Sequence, residues 1–357
     1  MLRILHIVGS LERAGIETFL MNIYRNIDRE RIQFDFAIYN MPSKYSYAKE
    51  VEQLGGKIYI VPSKNKGFIR CLSAISRIVS ENNYDIIWRD CSSCVGGIDL
   101  LAAWGGGAKV RILHSHSSNK FGTEKYLHYL LRPICNLVAT RRFACGQRAA
   151  KWMFGNRGYE LIPNGIDTEQ FKFDKKVRDE YRSKFGLEGK NVIGTIGRFQ
   201  KVKNHLFLIS VFNTYLEKDS EAVLCLVGSG EMEDACKAKT VEYGIENKVL
   251  FLGTRSDIPQ ILQMFDVFVM TSIYEGFPVT MIEAQAAGLP CVVSDSISEE
   301  TNLTGAVEYV SLNGSISKWC EAIDAKIGTR VIDAPEILKE KGYDISAIVN
   351  KVEKLIY

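Results

Sequence analysis

Residues 274–295 read YEGFPVTMIEAQAAGLPCVVSD. A Gly-Phe-Pro turn opens a short helical pattern, and an apolar run, Leu289 to Ser294, has the look of a buried strand. Two glutamates, Glu275 and Glu283, bracket the turn. Acidic residues favour the first turn of any helix, which is one reading of the pair. The other is that this helix start is a binding site. Pro278 suits the first helical position, where its missing N–H costs nothing. The amides of Gly276, Phe277 and Val279 would then point towards whatever sits at the helix start. Glu283 falls about 8–12 Å further along the axis at 1.5 Å per residue, a spacing for two ends of one ligand. Carboxylates accept hydrogen bonds from paired hydroxyls, as on sugars and riboses.

The same turn–helix–strand rhythm runs outward in both directions. In the first half the apolar runs LRILHIV, FDFAIYN, KIYIV, YDIIWRD, VRILHSH and RRFACG alternate with segments of helical spacing. In the second half NVIGTIG, AVLCLVGSG, KVLFLG, DVFVMTS and PCVVSD do the same. Continuous apolar strands separated by helices predict parallel sheets covered on both faces. Two series predict two doubly wound, Rossmann-like domains facing across a cleft. The break is expected near IPNGID, with polar sequence to about Lys190. We place a first domain at 1–163 and a second at 164–343. The amphipathic helix 344–357 is expected to pack back on the first.

Bulk properties narrow the class. A length of 357 residues suits two domains of ~150. A net charge of +3 lacks the concentrated basic character of a nucleic-acid binder. The N-terminal apolar run ends at Val8, too short for a signal-peptide core, and no stretch nears the ~18 apolar residues of a membrane span. A cytoplasmic protein is expected, with membrane contact only peripheral, at the inner face. Nine scattered cysteines do not form a disulfide framework. Cys91 and Cys94 make one C-x-x-C, read as buried thiols rather than a redox pair.

Four strand-to-helix junctions carry unusual residues. GSLERAGIET sets Gly9 and Gly15 around a helix start, as a phosphate loop or a plain turn would. TIGRFQKVKNH places Arg198 and Lys203 just past a strand, where a fork and a point charge suit a diphosphate. LVGSGEMED begins like a dinucleotide fingerprint but has Glu233 where the third glycine belongs, so it reads as a tight turn. The fourth junction is the opening stretch. In addition, His114 and His116 share a strand face. They could ligate a metal, but no third ligand is evident, and a hydrogen-bonding role is preferred.

Taken in order, the glycine loop, RILHSHS, IPNGID, GRFQKVKNH and EGFPVTMIEAQAAGLPCV resemble the retaining glycosyltransferases of family 4, which have the GT-B fold. RILHSHS and FACGQRAAKWMFG look most like bacterial enzymes of exopolysaccharide, capsule or O-antigen synthesis. The resemblance implies a transferase for a UDP- or GDP-linked sugar that needs no metal cofactor. Glu283 would take the ribose hydroxyls and Glu275 those of the transferred sugar. Arg198 and Lys203, with the amides of Gly276 and Phe277, would hold the diphosphate and its growing charge. Gly15 would close over the phosphates, and His116, rather than His114, would touch the donor sugar. The base would stack near Thr254 and Arg255. The first loop departs from the family in having one glycine where many relatives have two.

The acceptor would be a glycan or lipid-linked glycan. Residues 124–142 mix apolar side chains with Arg132, Arg141 and Arg142. They read as a core-packing helix, with an anionic membrane surface as the alternative. Two rival functions share the fold: a silent nucleotide-binding GT-B protein in an assembly complex, and a non-hydrolysing epimerase. Retention of Arg198, Lys203 and Glu283 disfavours the first, and the flanked glutamate pair disfavours the second.

Overall fold

The computed structural model describes residues 1–43, 46–119 and 122–356, so Tyr357, at the end of the expected C-terminal helix, lies outside the described residues. Two compact units are present, Met1–Gly165 with Ile345–Tyr357, and Ile166–Asp344.

Unit 1 is built on seven strands: β1 (Leu2–Val8), β2 (Ile32–Ile38), β3 (Ile58–Ile60), β4 (Ile86–Cys91), β5 (Val110–Ser115), β6 (Arg141–Ala144) and β7 (Glu160–Leu161). All pairs are parallel, in the order β3-β2-β1-β4-β5-β6-β7. All seven residues of β2 and all six of β4 are buried, as a sheet covered on both faces requires. The helix Gly15–Asn26 buries Phe19, Leu20 and Ile23 against one face. The last helix, Ile345–Ile356, adds Ile345, Ile348, Val349, Val352 and Ile356 to the same core. A Cβ at Gly165 would sit 2.5 Å from Ile348 Cγ1, so only glycine lets the chain pass that closely under the helix.

Unit 2 has six strands: β8 (Val192–Ile196), β9 (Val223–Val227), β10 (Val249–Phe251), β11 (Val267–Met270), β12 (Cys291–Ser294) and β13 (Val307–Val310). They too are all parallel, in the order β10-β9-β8-β11-β12-β13. In each sheet the chain winds outward from its first strand and then returns to the other side of it. The order therefore reverses between β1 and β4, and between β8 and β11. Such reversal points leave a crevice at the strands' carboxyl ends, where ligands of open α/β sheets bind.

The structure adds what the hydrophobic pattern did not show. β7 and β13 are short edge strands, with too few residues for a periodic signal. The helix Lys175–Phe185 lies inside the stretch expected to be polar connection. Arg182 is its sole buried residue, and the apolar stripe is short, with Val177, Tyr181 and Phe185 half-buried at four-residue spacing. Its ends are well marked: the Asp174 carboxylate accepts from the amides of Lys176 and Val177 (2.8 and 3.2 Å), and Gly186 is left-handed at the C-terminus.

Candidate active site

At the β8/β11 reversal, the loop after β8 forms a 3-10 turn, Lys201–Lys203, and ends at Asn204 with φ of 57°. It is pinned to the end of β11. Thr271 Oγ1 donates to the Asn204 carbonyl at 3.0 Å, and the Ile273 amide donates to Val202 at 2.8 Å. That pinning carries Lys203 over the segment holding Glu275, and Lys203 Nζ donates to Glu275 Oε1 at 2.6 Å. Both side chains are largely covered, at 20% and 15% exposure, so the pair is screened less than a surface ion pair. Arg198 is exposed and pairs with no described residue.

The neighbouring loops are fastened to this one by backbone. The Phe199 amide donates to Ser229 at 3.0 Å and the Gly228 amide to Gly253 at 2.9 Å. Ser229 Oγ lies 2.9 Å from Thr254 Oγ1. Gly228 has φ of +134°, and a Cβ there would collide with the Gly197 carbonyl. The LVGSG stretch is thus a clasp joining the ends of β8, β9 and β10. Arg255 makes a two-point pair with Asp257 (2.8 and 2.6 Å), which in turn accepts from Tyr181 at 2.9 Å.

The helix after β11 spans Val279–Ala286. Pro278 is its N-cap and not its first helical residue, a one-position correction. Pro278 has an extended ψ of 123°, and its carbonyl accepts from the Met281 amide at 3.1 Å. Gly276 is half-buried, whereas Phe277 and Val279 are buried. The Phe277 ring stacks on Tyr343 with centroids 5.5 Å apart. Glu283 is 8% exposed, and no described residue donates to its carboxylate. Burial alone pushes its carboxyl up to about 7. The protein thus brings Lys203 and Glu275 into contact and sets Glu283 apart as a lone buried acid in the following helix. One further residue went unread in the KNH triplet. His205 is buried, stacked on Phe199 at 4.4 Å, with Nδ1 unpartnered. Burial, with Lys203 beside it, pushes its imidazole down to about 4.

At the β1/β4 reversal, Gly15 opens its helix behind an Ala14 N-cap. Glu17 fills the first turn, buried, and accepts from Ser10 Oγ at 3.3 Å. The helix start is therefore served by a carboxylate of its own. At the end of β5, His114 in the strand and His116 just past it lie side by side, ring centroids 4.0 Å apart. The partner that spacing did not reveal is Asp90, directly opposite His114 in the parallel register of β4 and β5. Asp90 Oδ1 lies 2.9 Å from His116 Nε2 and 3.1 Å from His114 Nδ1. The coordinating atoms of Asp90, His114 and His116 all fall within 4.8 Å of one another, so a third candidate ligand does exist. His6 Nδ1 approaches the other oxygen, Asp90 Oδ2, at 3.3 Å. Burial would raise the Asp90 carboxyl, but the hydrogen bonds from His114, His116 and His6 outweigh it and hold it well below the usual range. Burial and then His116 push the His114 imidazole down to about 3.

The nine cysteines are buried free thiols. Burial pushes Cys91 up to about 12, and the Cys135 hydrogen bond, with burial, raises Cys94 as well. Neither is a poised nucleophile.

The helix Gly122–Val138 packs one face inward through His128, Cys135, Asn136 and Val138. The opposite face leaves Tyr126, Leu130 and Leu137 exposed at 77%, 71% and 81%, with Leu127, Tyr129 and Ile134 beside them. It therefore packs against the core, as its spacing suggested, and also carries an apolar outer stripe. Among the described residues no helix is long and apolar enough to cross a membrane.

Comparison with known proteins matches residues 13–170 to the model "Glycosyltransferase Family 4" and residues 177–325 to "Glycosyl transferases group 1". The chain is 35% identical, over 98% of its length and 95% of the relative's, to "Putative glycosyltransferase EpsF" of Bacillus subtilis (strain 168). It is 29% identical, over 64% of its length and 62% of the relative's, to the UDP-Gal:alpha-D-GlcNAc-diphosphoundecaprenol alpha-1,3-galactosyltransferase of Escherichia coli. Among solved structures, Anabaena HepE in complex with UDP-glucose superposes with a TM-score of 0.81 at 19% identity, covering 100% of this chain and 99% of that one. The sucrose-phosphate synthase of Thermosynechococcus elongatus gives 0.80 at 15% identity, covering 100% and 98%.

Proposed function

This chain belongs to the family 4 glycosyltransferases and has their GT-B fold, and from that premise we propose that it moves a hexosyl group from a UDP-sugar to a lipid-linked glycan in surface polysaccharide synthesis. The observation that carries this reading is the β8/β11 reversal, where Lys203 and Glu275 meet, Arg198 is exposed in the same loop as Lys203, and the Glu283 carboxyl is buried in the next helix with no donor among the described residues. Cations that hold a diphosphate stabilise the negative charge growing on the leaving group. Lys203 and Arg198 would supply that charge in place of a divalent metal. Donor binding would draw Lys203 from Glu275 onto phosphate and free Glu275 for sugar hydroxyls. Glu283 would take the ribose diol, and Thr254 and Arg255 would border the base.

The reaction is proposed to retain the anomeric configuration, with the departing phosphate oxygen accepting the acceptor's proton on the same face. A lipid-linked acceptor fits the apolar stripe of the Gly122–Val138 helix. With Lys125, Arg132, Arg141, Arg148 and Lys151 nearby in sequence, that stripe would rest on an anionic membrane.

Thermal stabilisation by a panel of nucleotides and nucleotide sugars, in EDTA, tests the donor site. A ligand at one hundred times its dissociation constant adds ~2.7 kcal/mol. The expected result is a shift with UDP compounds that Glu283→Ala abolishes. No shift with any nucleotide would remove the transferase reading and leave only the fold.

A further inference from the structure

We propose that the groove between the helices Phe68–Glu81 and Asp99–Gly105 of unit 1 seats the phosphate of an anionic lipid headgroup, which turns this helical layer towards the bilayer. The proposal rests on the reading that unit 1 touches a membrane, and it adds a headgroup site to the apolar stripe of Gly122–Val138. It comes from two arginines without acids beside a hydroxyl-lined groove.

Both helices belong to one layer. The connections β3→β4, β4→β5 and β5→β6 all step across the sheet in the same direction, and β1→β2 steps the other way. Right-handed crossovers therefore put the first three sets of helices on one face, opposite the helix Gly15–Asn26. Asp99–Gly105 packs against both Phe68–Glu81 and Gly122–Val138. The groove and the apolar stripe are thus neighbours on one outer surface.

A Cβ at Gly106 would lie 2.6 Å from the Ser76 carbonyl, so glycine lets the end of one helix reach the backbone of the other. Between the two lies a cavity of about 500 Å³. Leu72, Leu101 and Ala102 give it apolar walls, and Ser73, Ser76 and Arg77 give it donors. Arg70 stands two turns before Arg77 on the same helix face. Among the described residues neither arginine pairs with an acid, nor does Lys66 in the preceding turn, and the hydroxyls of Ser73 and Ser76 have no partner. The first acid of the helix is Glu81, its last residue. The Asp99 carboxylate next door is buried and already matched, with Lys64 Nζ at 2.8 Å and Arg89 Nε at 2.9 Å. Guanidinium forks beside hydroxyls, with no competing acid, suit a phosphate diester.

The surroundings select a lipid phosphate over a free one. Ile69, one turn before Ser73 on the groove side, is 78% exposed, Phe68 is 49% exposed, and Trp104 near the end of Asp99–Gly105 is 60% exposed. A site for a soluble anion has no use for such a rim. Apolar and aromatic side chains flanking cations are what an interfacial surface presents to a bilayer. Unit 2 exposes only Val241, Ile273 and Ile332 as large apolar side chains among the described residues, so this character is concentrated in unit 1.

The test is sedimentation of the full chain with vesicles of phosphatidylcholine, with and without phosphatidylglycerol, joined to quenching by brominated lipid. Trp88, Trp152 and Trp319 are buried, so quenching reports on Trp104. Binding should need phosphatidylglycerol, weaken with salt and quench the emission. Arg70→Ser/Arg77→Ser, both exposed positions, should weaken partitioning by about 25-fold, at about fivefold for each cation near an anionic surface. Leu130→Ser/Leu137→Ser tests the membrane reading itself. If that variant is impaired while the arginine variant binds as wild type does, or if bound protein keeps Trp104 unquenched, the groove site is overturned and the membrane reading stands. Dihexanoylphosphatidylglycerol below its micelle concentration should raise Tm in wild type and not in the arginine variant. Inorganic phosphate giving the same shift would make the groove a free-anion site and overturn the proposal. A wild type that ignores every vesicle would sink the membrane reading, and the soluble lipid would then report separately on the groove.

Discussion

The two sheets reverse their strand order in the same way, yet the two reversal points hold charge oppositely. At β1/β4, Asp90 is surrounded by N–H donors and held ionised in the core. At β8/β11, Glu283 is also buried, but no described residue donates to its carboxylate, and its carboxyl is pushed up to about 7. A buried charge with partners stabilises its surroundings, and one without them is costly. The first site is finished in the empty protein. The second stores a cost that a ligand bearing hydroxyl donors would relieve, and a diphosphate there would compete with Glu275 for Lys203.

The largest expected effect tests that asymmetry directly. Lys203→Ala should lower the transfer rate by ~10²–10³-fold, the usual loss on removing one preorganised stabiliser of transition-state charge. Steady-state kinetics with a UDP-sugar measures it. A smaller loss for Lys203→Ala than for Asp90→Asn would invert the comparison and move the chemistry to unit 1.

Stability should respond with opposite signs. Burial lifts the folded carboxyl of Glu283 from its ordinary 4.5 to about 7, worth ~3 kcal/mol. Its raised value means that stability is highest below the unfolded pKa and is lost as pH climbs through about 7. Glu283→Gln should therefore stabilise the empty protein by about 3 kcal/mol at pH 8 and by little at pH 4, while abolishing the nucleotide-sugar shift. Asp90 is depressed instead. It contributes stability above its unfolded value, and that contribution is lost as pH falls through the folded one, so Asp90→Asn should destabilise at pH 8. Urea unfolding at both pH values checks the pair. A destabilised Glu283→Gln would mean that the carboxylate has a donor after all.

These opposites were unequally legible in the sequence. Strands with continuous apolar runs announced both sheets, because burial on two faces leaves no polar alternation. Lys203 and Glu275 were nominated from loops, where a cation and an acid at strand ends have few structural reasons to be. Asp90 was not, since it comes to His114 through strand register across more than twenty residues. Its one local signal was an Arg-Asp pair, Arg89 and Asp90, ending an apolar strand. His205 was passed over because one histidine beside two lysines reads as surface. The Lys175–Phe185 helix was hidden because its apolar stripe is only three residues long, Val177, Tyr181 and Phe185, set among charged side chains.

A smaller effect separates scaffold from site. Gly228→Ala forces a side chain into left-handed backbone and against the Gly197 carbonyl. A cost of ~2 kcal/mol is expected, read as a lowered Tm, with weaker nucleotide binding because the clasp aligns Arg198 with Thr254. No comparable substitution exists at Gly15, where a Cβ would meet nothing within 4 Å. Gly15→Ala should therefore leave Tm unchanged. If Gly228→Ala folds and binds as wild type does, the clasp is not what orders this site.

The smallest effect is the sharpest discriminator. If ribose hydroxyls donate to Glu283, binding favours its ionised form. The bound pKa then falls below the free value of about 7, and binding expels a proton wherever the free site is protonated. Affinity for a UDP-sugar should be full above that value and weaken as pH drops through it, by up to about tenfold, or ~1.4 kcal/mol, per pH unit. A UDP-sugar is the right probe because its diphosphate, esterified at both ends, has no ionisation of its own in this range. Calorimetry from pH 6 to 8 reads the slope. Glu283→Gln should flatten whatever binding survives, and Asp90→Asn should leave the slope intact, since its carboxylate is ionised throughout. A slope that vanishes with Asp90→Asn would assign the titration to the imidazole cluster, and unit 1 rather than unit 2 would be the site that a ligand completes.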